Sequence, residues 1–316
     1  MRDDPWHSLG VASDKIVGRR TGGEHPLAIY WIKANDGSPG VLFRGIDPLR
    51  IPKQLPKPRG LSLDISSEDS RWEASMFLRE HEDREVFLIL CLDVISYSGG
   101  GSTASDATSN VFRRLSHWHS LMTRARTTAM GPHEIRGFIG ELCVLERLAE
   151  SIGFEAALNA WVAPDEHPQD FAKEGMLIEV KARLSGSRQV VRISSLQQLE
   201  PTQLPLSLIV VELASSEGEG TTTLNQMCSR FVDRARVIGS QQIDAVESAL
   251  FKRGYLKLEA YDADAYRFVD MTAFECREDF PKLIRSDVDI RIPEAQYMLD
   301  LALMGSFEIT AASVLD

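Results

Sequence analysis

The feature that most constrains the fold lies in the middle of the chain, where one long helical pattern precedes several short extended runs. Between residues 133 and 151, apolar side chains recur at the spacing of one helix face: Ile135, Phe138, Ile139, Leu142, Leu145 and Leu148. Extended runs follow at residues 160–162, 169–172, 176–182, 190–193 and 206–213, and Ser194 or Ser195 can cap a short helix before the last run. This order predicts an α/β (α+β) unit in which helices flank a mixed sheet.

Three polar residues on these strands are placed so that they can converge. Side chains alternate along a strand, so Ile178 and Val180 point into the packing while Glu179 and Lys181 share the other face. Asp170 lies across a tight turn from Glu179. Mg²⁺ takes oxygen ligands, usually one or two carboxylates with water and phosphate oxygens. The spacing therefore predicts a metal site made by Asp170, Glu179 and the backbone carbonyl of Val180, with Lys181 orienting the attacking water or neutralising the transition state.

A fourth acidic residue, Glu141, lies on the apolar stripe of the preceding helix. A carboxylate at such a position is costly unless it is paired or coordinates a metal, so Glu141 is predicted to join the site as a catalytic and metal-binding residue. The structural alternatives are a side chain that reaches solvent and an ion pair with an arginine. Gly137 and Gly140 precede it, and glycines inside a helix indicate a close approach of another element.

At these residues the chain resembles the PD-(D/E)XK nuclease superfamily, over roughly residues 130–215. The matching motif residues are Gly140-Glu141, Gln169-Asp170-Phe171 and Ile178-Glu179-Val180-Lys181. The proline of the superfamily name is not adjacent to Asp170, because Pro168 lies two residues before it. The likeness is greatest to bacterial PD-(D/E)XK proteins found among phage-defence and restriction genes. It implies a restriction endonuclease-like core and a Mg²⁺ cofactor for which Mn²⁺ can substitute.

The function that this resemblance implies is a Mg²⁺-dependent endonuclease that hydrolyses DNA phosphodiester bonds, in restriction or phage defence. Two alternatives stay open: a catalytically silent nuclease-fold module that binds DNA or a partner protein, and a nuclease that acts on RNA. The side chains expected to contact nucleic acid are Arg183, Arg188, Arg192, Ser194 and Gln198. Solvation of the arginines and helix capping by the serine are the structural alternatives for this set.

The flanking segments predict three domains in the 316-residue chain. Residues 1–105 form a β-rich recognition or assembly domain, with strands at residues 27–33, 41–44 and 86–92, and a Gly/Ser/Thr-rich connection runs from residue 98 to 110. Residues 106–215 form the nuclease core, with a helix at residues 111–128. Residues 216–316 form a mixed extension, with helices at residues 226–238 and 241–253 and strands at residues 255–258, 266–271 and 288–292.

The charge distribution argues weakly against a nucleic-acid partner. The net charge is −11, and residues 201–316 contain 11 Lys and Arg against 19 Asp and Glu. DNA binding would then depend on local arginines and the metal, or on a homodimer or a partner protein of a defence system that supplies basic surface. The sequence shows no apolar run of about 18 residues and no signal peptide, and the four cysteines are scattered. These features predict a cytoplasmic protein without a membrane segment.

Overall fold

The structure, a computed structural model, describes residues 4–10, 16–57, 60–68, 70–79, 84–124, 130–165, 167–216 and 218–316. The chain divides into two compact units, Met1–Thr128 and Ala129–Asp316. The helix that follows the predicted boundary at residue 105 therefore belongs to the first unit. The predicted core after residue 129 and the predicted C-terminal extension lie together in the second unit.

The first unit is built on a five-stranded antiparallel sheet. Its strands are β1 (Val17–Arg20), β2 (Ala28–Lys33), β3 (Pro39–Arg44), β4 (Leu61–Glu68) and β5 (Arg71–Leu78). Their order in the sheet is β1-β2-β3-β5-β4. Ile29 and Trp31 are buried while Tyr30 between them is half-buried, which is the alternation of a strand with one covered face. The β-rich character and the strands expected at residues 27–33 and 41–44 are confirmed.

Two helices complete the first unit: the first replaces a predicted strand, and the second confirms the helix predicted from residue 111 and begins earlier than predicted. They are α1 (Arg84–Gly99) and α2 (Ala104–Arg124). The strand predicted at residues 86–92 is wrong, because that run belongs to α1. An apolar run alone does not distinguish a buried strand from a buried helix. The buried residues Phe87, Leu90, Cys91 and Val94 follow helical spacing, and this spacing becomes visible only when the run is extended past Leu92.

The predicted connection at residues 98–110 is shorter in the structure. The Thr103 hydroxyl accepts a hydrogen bond from the backbone N–H of Asp106 at 3.1 Å, and this contact caps the start of α2. The Ser- and Thr-rich residues from Ala104 to Asn110 are therefore helical and form no linker. Residues 125–128, at the predicted end of this helix, lie outside the described residues.

The second unit contains a mixed five-stranded sheet in the order β12-β10-β9-β7-β6. Its strands are β6 (Phe171–Lys173), β7 (Met176–Leu184), β9 (Leu206–Ser215), β10 (Tyr266–Glu275) and β12 (Glu308–Ile309). Two further strands, β8 (Val190–Ile193) and β11 (Tyr297–Asp300), pair with each other in a separate sheet. Strands β7 and β9 are parallel, and the other neighbours are antiparallel. The predicted α/β (α+β) class with a mixed sheet is confirmed.

Helices of the second unit pack against this sheet and against each other. They are α3 (Pro132–Ser151), α4 (Phe154–Ala160), α5 (Leu224–Ile238), α6 (Ser240–Lys252) and α7 (Ala312–Leu315). Helix α3 contacts β7, while the opposite sheet face, which includes Leu177, Leu208 and Val210, is covered by β8, β11 and the short helix Leu196–Leu199. No described helix is long and apolar enough to cross a membrane.

Three extended segments predicted in the second unit are wrong. Residue 160 ends α4, and only the adjacent Trp161 forms an isolated bridge, with Phe171. Residues 255–258 and 288–292 form no strand in the described chain. At residues 288–292 the reason is visible, because the Arg285 guanidinium donates to the carbonyls of Val288, Asp289 and Ile292. Those acceptors are therefore unavailable to a neighbouring strand.

Gly140 is a point of close approach between α3 and the sheet. A β-carbon at this position would lie 3.0 Å from the Cβ of Ala182 and 3.7 Å from the Cγ1 of Val180. At Gly137, one turn earlier, such a carbon would meet no atom within 4 Å among the described residues outside its own helix backbone. The expected close approach therefore exists at Gly140 and not at Gly137.

The two glycines form a matched pair for measuring this contact. Gly137→Ala should raise the free energy of unfolding by about 0.5–1 kcal/mol, because alanine is the better helix former and the space is open. Gly140→Ala should give no such gain and a net loss, because Ala182 must move away. Urea unfolding of both variants measures the difference. Equal stabilisation by the two substitutions would show that α3 and β7 are not closely packed.

Candidate active site

The hairpin formed by β6 and β7 places Asp170 opposite Glu179. Gly175 has a φ of 73°, a left-handed conformation that suits glycine in this tight turn. The backbone N–H of Asp170 donates to the carbonyl of Ile178 at 3.1 Å. The Asp170 carboxylate accepts a hydrogen bond from the backbone N–H of Val180 at 2.7 Å. Two bonds from one residue to the neighbouring strand therefore hold the Asp170 carboxylate beside the strand that carries Glu179 and Lys181.

Glu179 is buried, with only 1% of its surface exposed. Its Oε1 atom accepts a hydrogen bond from the Lys181 ammonium at 2.5 Å. Its Oε2 atom is also buried and has no hydrogen-bond partner within the described part of the chain. An unpartnered buried carboxylate oxygen is costly, so a ligand that binds Oε2 would be favourable.

The electrostatics of the hairpin disfavour two charged carboxylates. Burial raises the pKa of Asp170 well above its usual range, and the charges of Glu179 and Glu141 raise it further, against the lowering effect of Lys181 and the Val180 N–H. Burial likewise raises the pKa of Glu179 to about 7, although the adjacent Lys181 opposes this shift. A divalent cation would offset the excess negative charge at both groups.

The residues fit a hard divalent cation. Asp170 and Glu179 supply two carboxylates, which is the number that Mg²⁺ commonly takes from a protein, and Oε2 of Glu179 is free to bind. No cluster of three or more His, Cys, Asp or Glu side chains at metal-binding distance occurs among the described residues. A cation held here would therefore complete its shell with backbone, water or substrate oxygens.

Glu141 is occupied by two other side chains. Arg253, which follows α6, donates to both carboxylate oxygens, with Nε 2.9 Å from Oε2 and Nη2 2.5 Å from Oε1. The Trp161 indole N–H donates to Oε2 at 3.2 Å. The ion pair with an arginine, one structural alternative for this buried position, is thus present. Metal binding by Glu141 stays a prediction, and it would require a cation to compete with Arg253.

Gln198 connects Lys181 to the short helix Leu196–Leu199. Its Oε1 atom accepts hydrogen bonds from the Lys181 ammonium at 3.2 Å and from the backbone N–H of Ser194 at 2.8 Å. Buried Gln169 donates to the carbonyl of Gln198 at 3.2 Å, so the residue before Asp170 ties this helix to the hairpin. Ser195 is the residue at the start of the short helix, but its side chain makes no capping hydrogen bond.

The arginines expected to contact nucleic acid have different surroundings. Arg183 pairs with Glu212, which lies beside it across the β7–β9 register, and donates to the carbonyl of Ser187 at 2.9 Å. Arg192 is exposed and donates to the side chain of Gln296. Arg188 is exposed. The contacts of all three with nucleic acid stay predictions.

Sequence reasoning assigned no role at the site to three residues that the structure brings there: Trp161, Gln169 (named only as part of the motif) and Arg253. Gln169 immediately precedes Asp170, and this adjacency was the available signal. Trp161 lies in a run that was interpreted as extended. Arg253 is 112 residues from Glu141, and no periodicity connects positions so far apart.

The fold and this constellation define a nuclease-like α+β protein of the PD-(D/E)XK type. Residues 2–302 match the model of the family described as "Putative PD-(D/E)XK family member, (DUF4420)", and the chain belongs to this family. The resemblance stated from the motif residues is confirmed. No curated protein and no solved structure matches the chain.

Without a metal, the stability of the folded protein should depend on the proton held by Glu179. Its pKa is about 7 when folded and near the ordinary 4.5 when unfolded. Between these values the unfolded chain has released a proton that the folded chain retains, so stability falls as pH rises. By this linkage the ionisation of Glu179 lowers the free energy of unfolding by about 3 kcal/mol, and the loss is complete above the folded pKa.

Urea unfolding in EDTA between about pH 5 and about pH 8 measures this slope. Glu179→Gln should flatten it, because glutamine has no proton to lose. Glu150→Gln changes an exposed glutamate on α3 and serves as the control. Equal slopes for the wild type and Glu179→Gln would show that Glu179 is ionised throughout this range.

Proposed function

We propose that this protein is a metal-dependent endonuclease that hydrolyses DNA phosphodiester bonds, with Mg²⁺ as its cofactor and Mn²⁺ as a substitute. The observation that carries the proposal is the buried Oε2 of Glu179, which lacks a partner beside Asp170 while Lys181 holds the other oxygen. A structural ion pair would satisfy both oxygens. One free oxygen beside a second carboxylate suits a cation that arrives with its substrate.

Each residue of the centre has a proposed role. Asp170 and Glu179 hold the cation, with the Val180 carbonyl as a further oxygen. When bound, the cation lowers the pKa of a water molecule and stabilises negative charge on the phosphate. Lys181 has three N–H donors, and two of them go to Glu179 and Gln198. The third is available to orient the attacking water or to contact a phosphate oxygen, and the other two fix its direction.

Restriction or phage defence is the proposed setting, and it rests on the likeness of the motif residues to proteins found among such genes. The β-rich first unit is proposed to serve recognition or assembly. The acidic balance of residues 201–316 favours a homodimer or a partner protein that adds basic surface. A silent binding module and an RNA nuclease are the outcomes that the cleavage experiment separates from this proposal.

Cleavage should require Asp170 and Lys181. Asp170→Asn keeps an acceptor for the Val180 N–H but removes a charge from the metal site, and Lys181→Met removes the ammonium. Each should lower Mg²⁺-dependent cleavage of plasmid and linear DNA by about 100-fold or more. Glu174→Ala, an exposed acidic residue in the same hairpin turn, is the matched control and should retain activity.

The cleavage and binding results for the wild type distinguish the candidate functions in this assay. Equal background for wild type, Asp170→Asn and Lys181→Met on DNA, with Mg²⁺ or Mn²⁺, would contradict an autonomous DNA nuclease. Metal-dependent cleavage of RNA alone would assign the RNA activity. DNA binding without cleavage of either polymer would assign the silent module.

Metal binding should be measurable without turnover. A ligand that binds only the folded state raises the melting temperature, and each tenfold excess over Kd adds about 1.4 kcal/mol. Millimolar Mg²⁺ or Mn²⁺ should therefore raise the melting temperature of the wild type, and Glu179→Gln should remove most of this rise. Calorimetric titration gives the stoichiometry. A rise that persists in Glu179→Gln would locate the cation elsewhere, with the acidic residues 201–316 as the next candidate.

A further inference from the structure

Arg253 and Glu141 form an ion pair with unequal exposure. The Glu141 side chain is 5% exposed, whereas the Arg253 side chain is 34% exposed. Nε and Nη2 of Arg253 face the carboxylate, and the guanidinium carbon lies 5.4 Å from the centre of the Phe138 ring. The carboxylate and the ring together fix the plane of the guanidinium, while about a third of the side chain stays open to solvent.

The guanidinium of Arg253 carries unused hydrogen-bond donors. A guanidinium has five N–H groups, and Glu141 engages those on Nε and Nη2. Nη1 makes no hydrogen bond within the described part of the chain. The charge of Arg253 also acts on both carboxylates of the hairpin. It lowers the pKa of Glu179, while the pKa of Arg253 itself is raised most by Glu141 and to a smaller extent by Asp170. Trp161, which shares the Glu141 carboxylate with Arg253, forms a bridge with Phe171, the residue after Asp170, so Arg253 lies beside the hairpin that carries the proposed metal site.

We propose that Arg253 binds a phosphate oxygen of the nucleic-acid substrate through Nη1, and that Glu141 is the positioning residue that holds the guanidinium in place. This inference rests on the proposed nuclease function and adds a substrate-binding residue to it. It gives Glu141 a role at the site that needs no contact with the metal.

The chemistry of the neighbourhood favours a phosphate as the ligand of Arg253. A planar guanidinium matches a tetrahedral oxyanion, and one that is already held in place loses less freedom on binding than a mobile side chain does. In an acidic chain, DNA binding depends on local cations. Arg183 and Arg192 both have protein partners for their guanidinium groups. Arg253 combines a fixed orientation with free donors and proximity to the two metal-binding carboxylates.

DNA binding by charge-matched variants tests this proposal. Replacing Arg253 alone would leave Glu141 buried without its partner, so the pair is changed together as Glu141→Gln with Arg253→Gln. Glu141→Gln alone keeps the arginine. Lys252→Gln removes the neighbouring cation, which pairs with Asp165 at 2.6 Å and is 45% exposed. Fluorescence anisotropy of a labelled DNA duplex in EDTA, over a series of salt concentrations, measures affinity without cleavage.

The double variant should bind the duplex roughly tenfold more weakly than the wild type, and its slope of log affinity against log salt should be shallower by about one unit. Glu141→Gln should weaken binding less than the double variant does, because it keeps the arginine but loses the charged partner that orients it, and Lys252→Gln should lose at most about twofold. Should the double variant fail to fold in a melting assay, Arg253→Lys decides: it keeps the charge, loses the planar fork, and should bind several-fold more weakly.

Either of two results would overturn the role of Arg253 without affecting the proposed function. The first is an unchanged affinity and salt slope in the double variant, or in Arg253→Lys where that variant replaces it. The second is a loss of affinity in Lys252→Gln that equals the loss in the double variant. In either case Mg²⁺-dependent cleavage by the wild type would leave the proposed function intact. A wild-type protein that neither binds nor cleaves nucleic acid would overturn the function and the inference together. The salt slope separates a phosphate contact from a purely structural ion pair, since an internal pair releases no counterions from DNA.

Discussion

The balance of charge around the β6–β7 hairpin is the constraint on which the second unit depends. Glu141 is neutralised by Arg253 and Glu179 is paired with Lys181, while the carboxylate of Asp170 receives a backbone N–H. Three carboxylates therefore face only two positively charged side chains, Arg253 and Lys181. Burial, together with the deficit of one positive charge, raises the pKa of Asp170 and Glu179, and the deficit makes the centre receptive to a further cation.

Alternate side chains of strand β7 face opposite sides of the sheet, so one side makes the packing contacts and the other carries the charged residues of the candidate site. Val180 and Ala182 face α3, where Gly140 allows the helix to come close, and Glu179 and Lys181 face the short helix that contains Gln198. A shift of one residue in the register of β7 would exchange these faces and place two charged groups against α3. The family match also spans residues 2–302, so the β-rich first unit belongs to the pattern of the family and is no addition peculiar to this chain.

Local patterns in the sequence predicted the parts of the site that are local in the fold. The stripe of α3 and the turn at Gly175 placed Asp170, Glu179 and Lys181 correctly on one hairpin, because helix and strand periodicity act over a few residues. The strand expected at residues 86–92 was wrong because a run that is apolar on every side carries no period. Arg253 was missed because its contact with Glu141 follows from the tertiary fold, and the sequence of α6 gives no sign of it.

The separation of 112 residues between Glu141 and Arg253 has a consequence for protein synthesis. A ribosome releases α3 and the hairpin well before the end of α6, and domains generally fold as units once their chain is complete. Until residue 253 emerges, Glu141 has no guanidinium partner, and β9 lacks its neighbour β10 until residue 275 has been made. The nascent chain therefore carries Asp170, Glu179 and Lys181 before residue 253 and strand β10 are available to complete their surroundings.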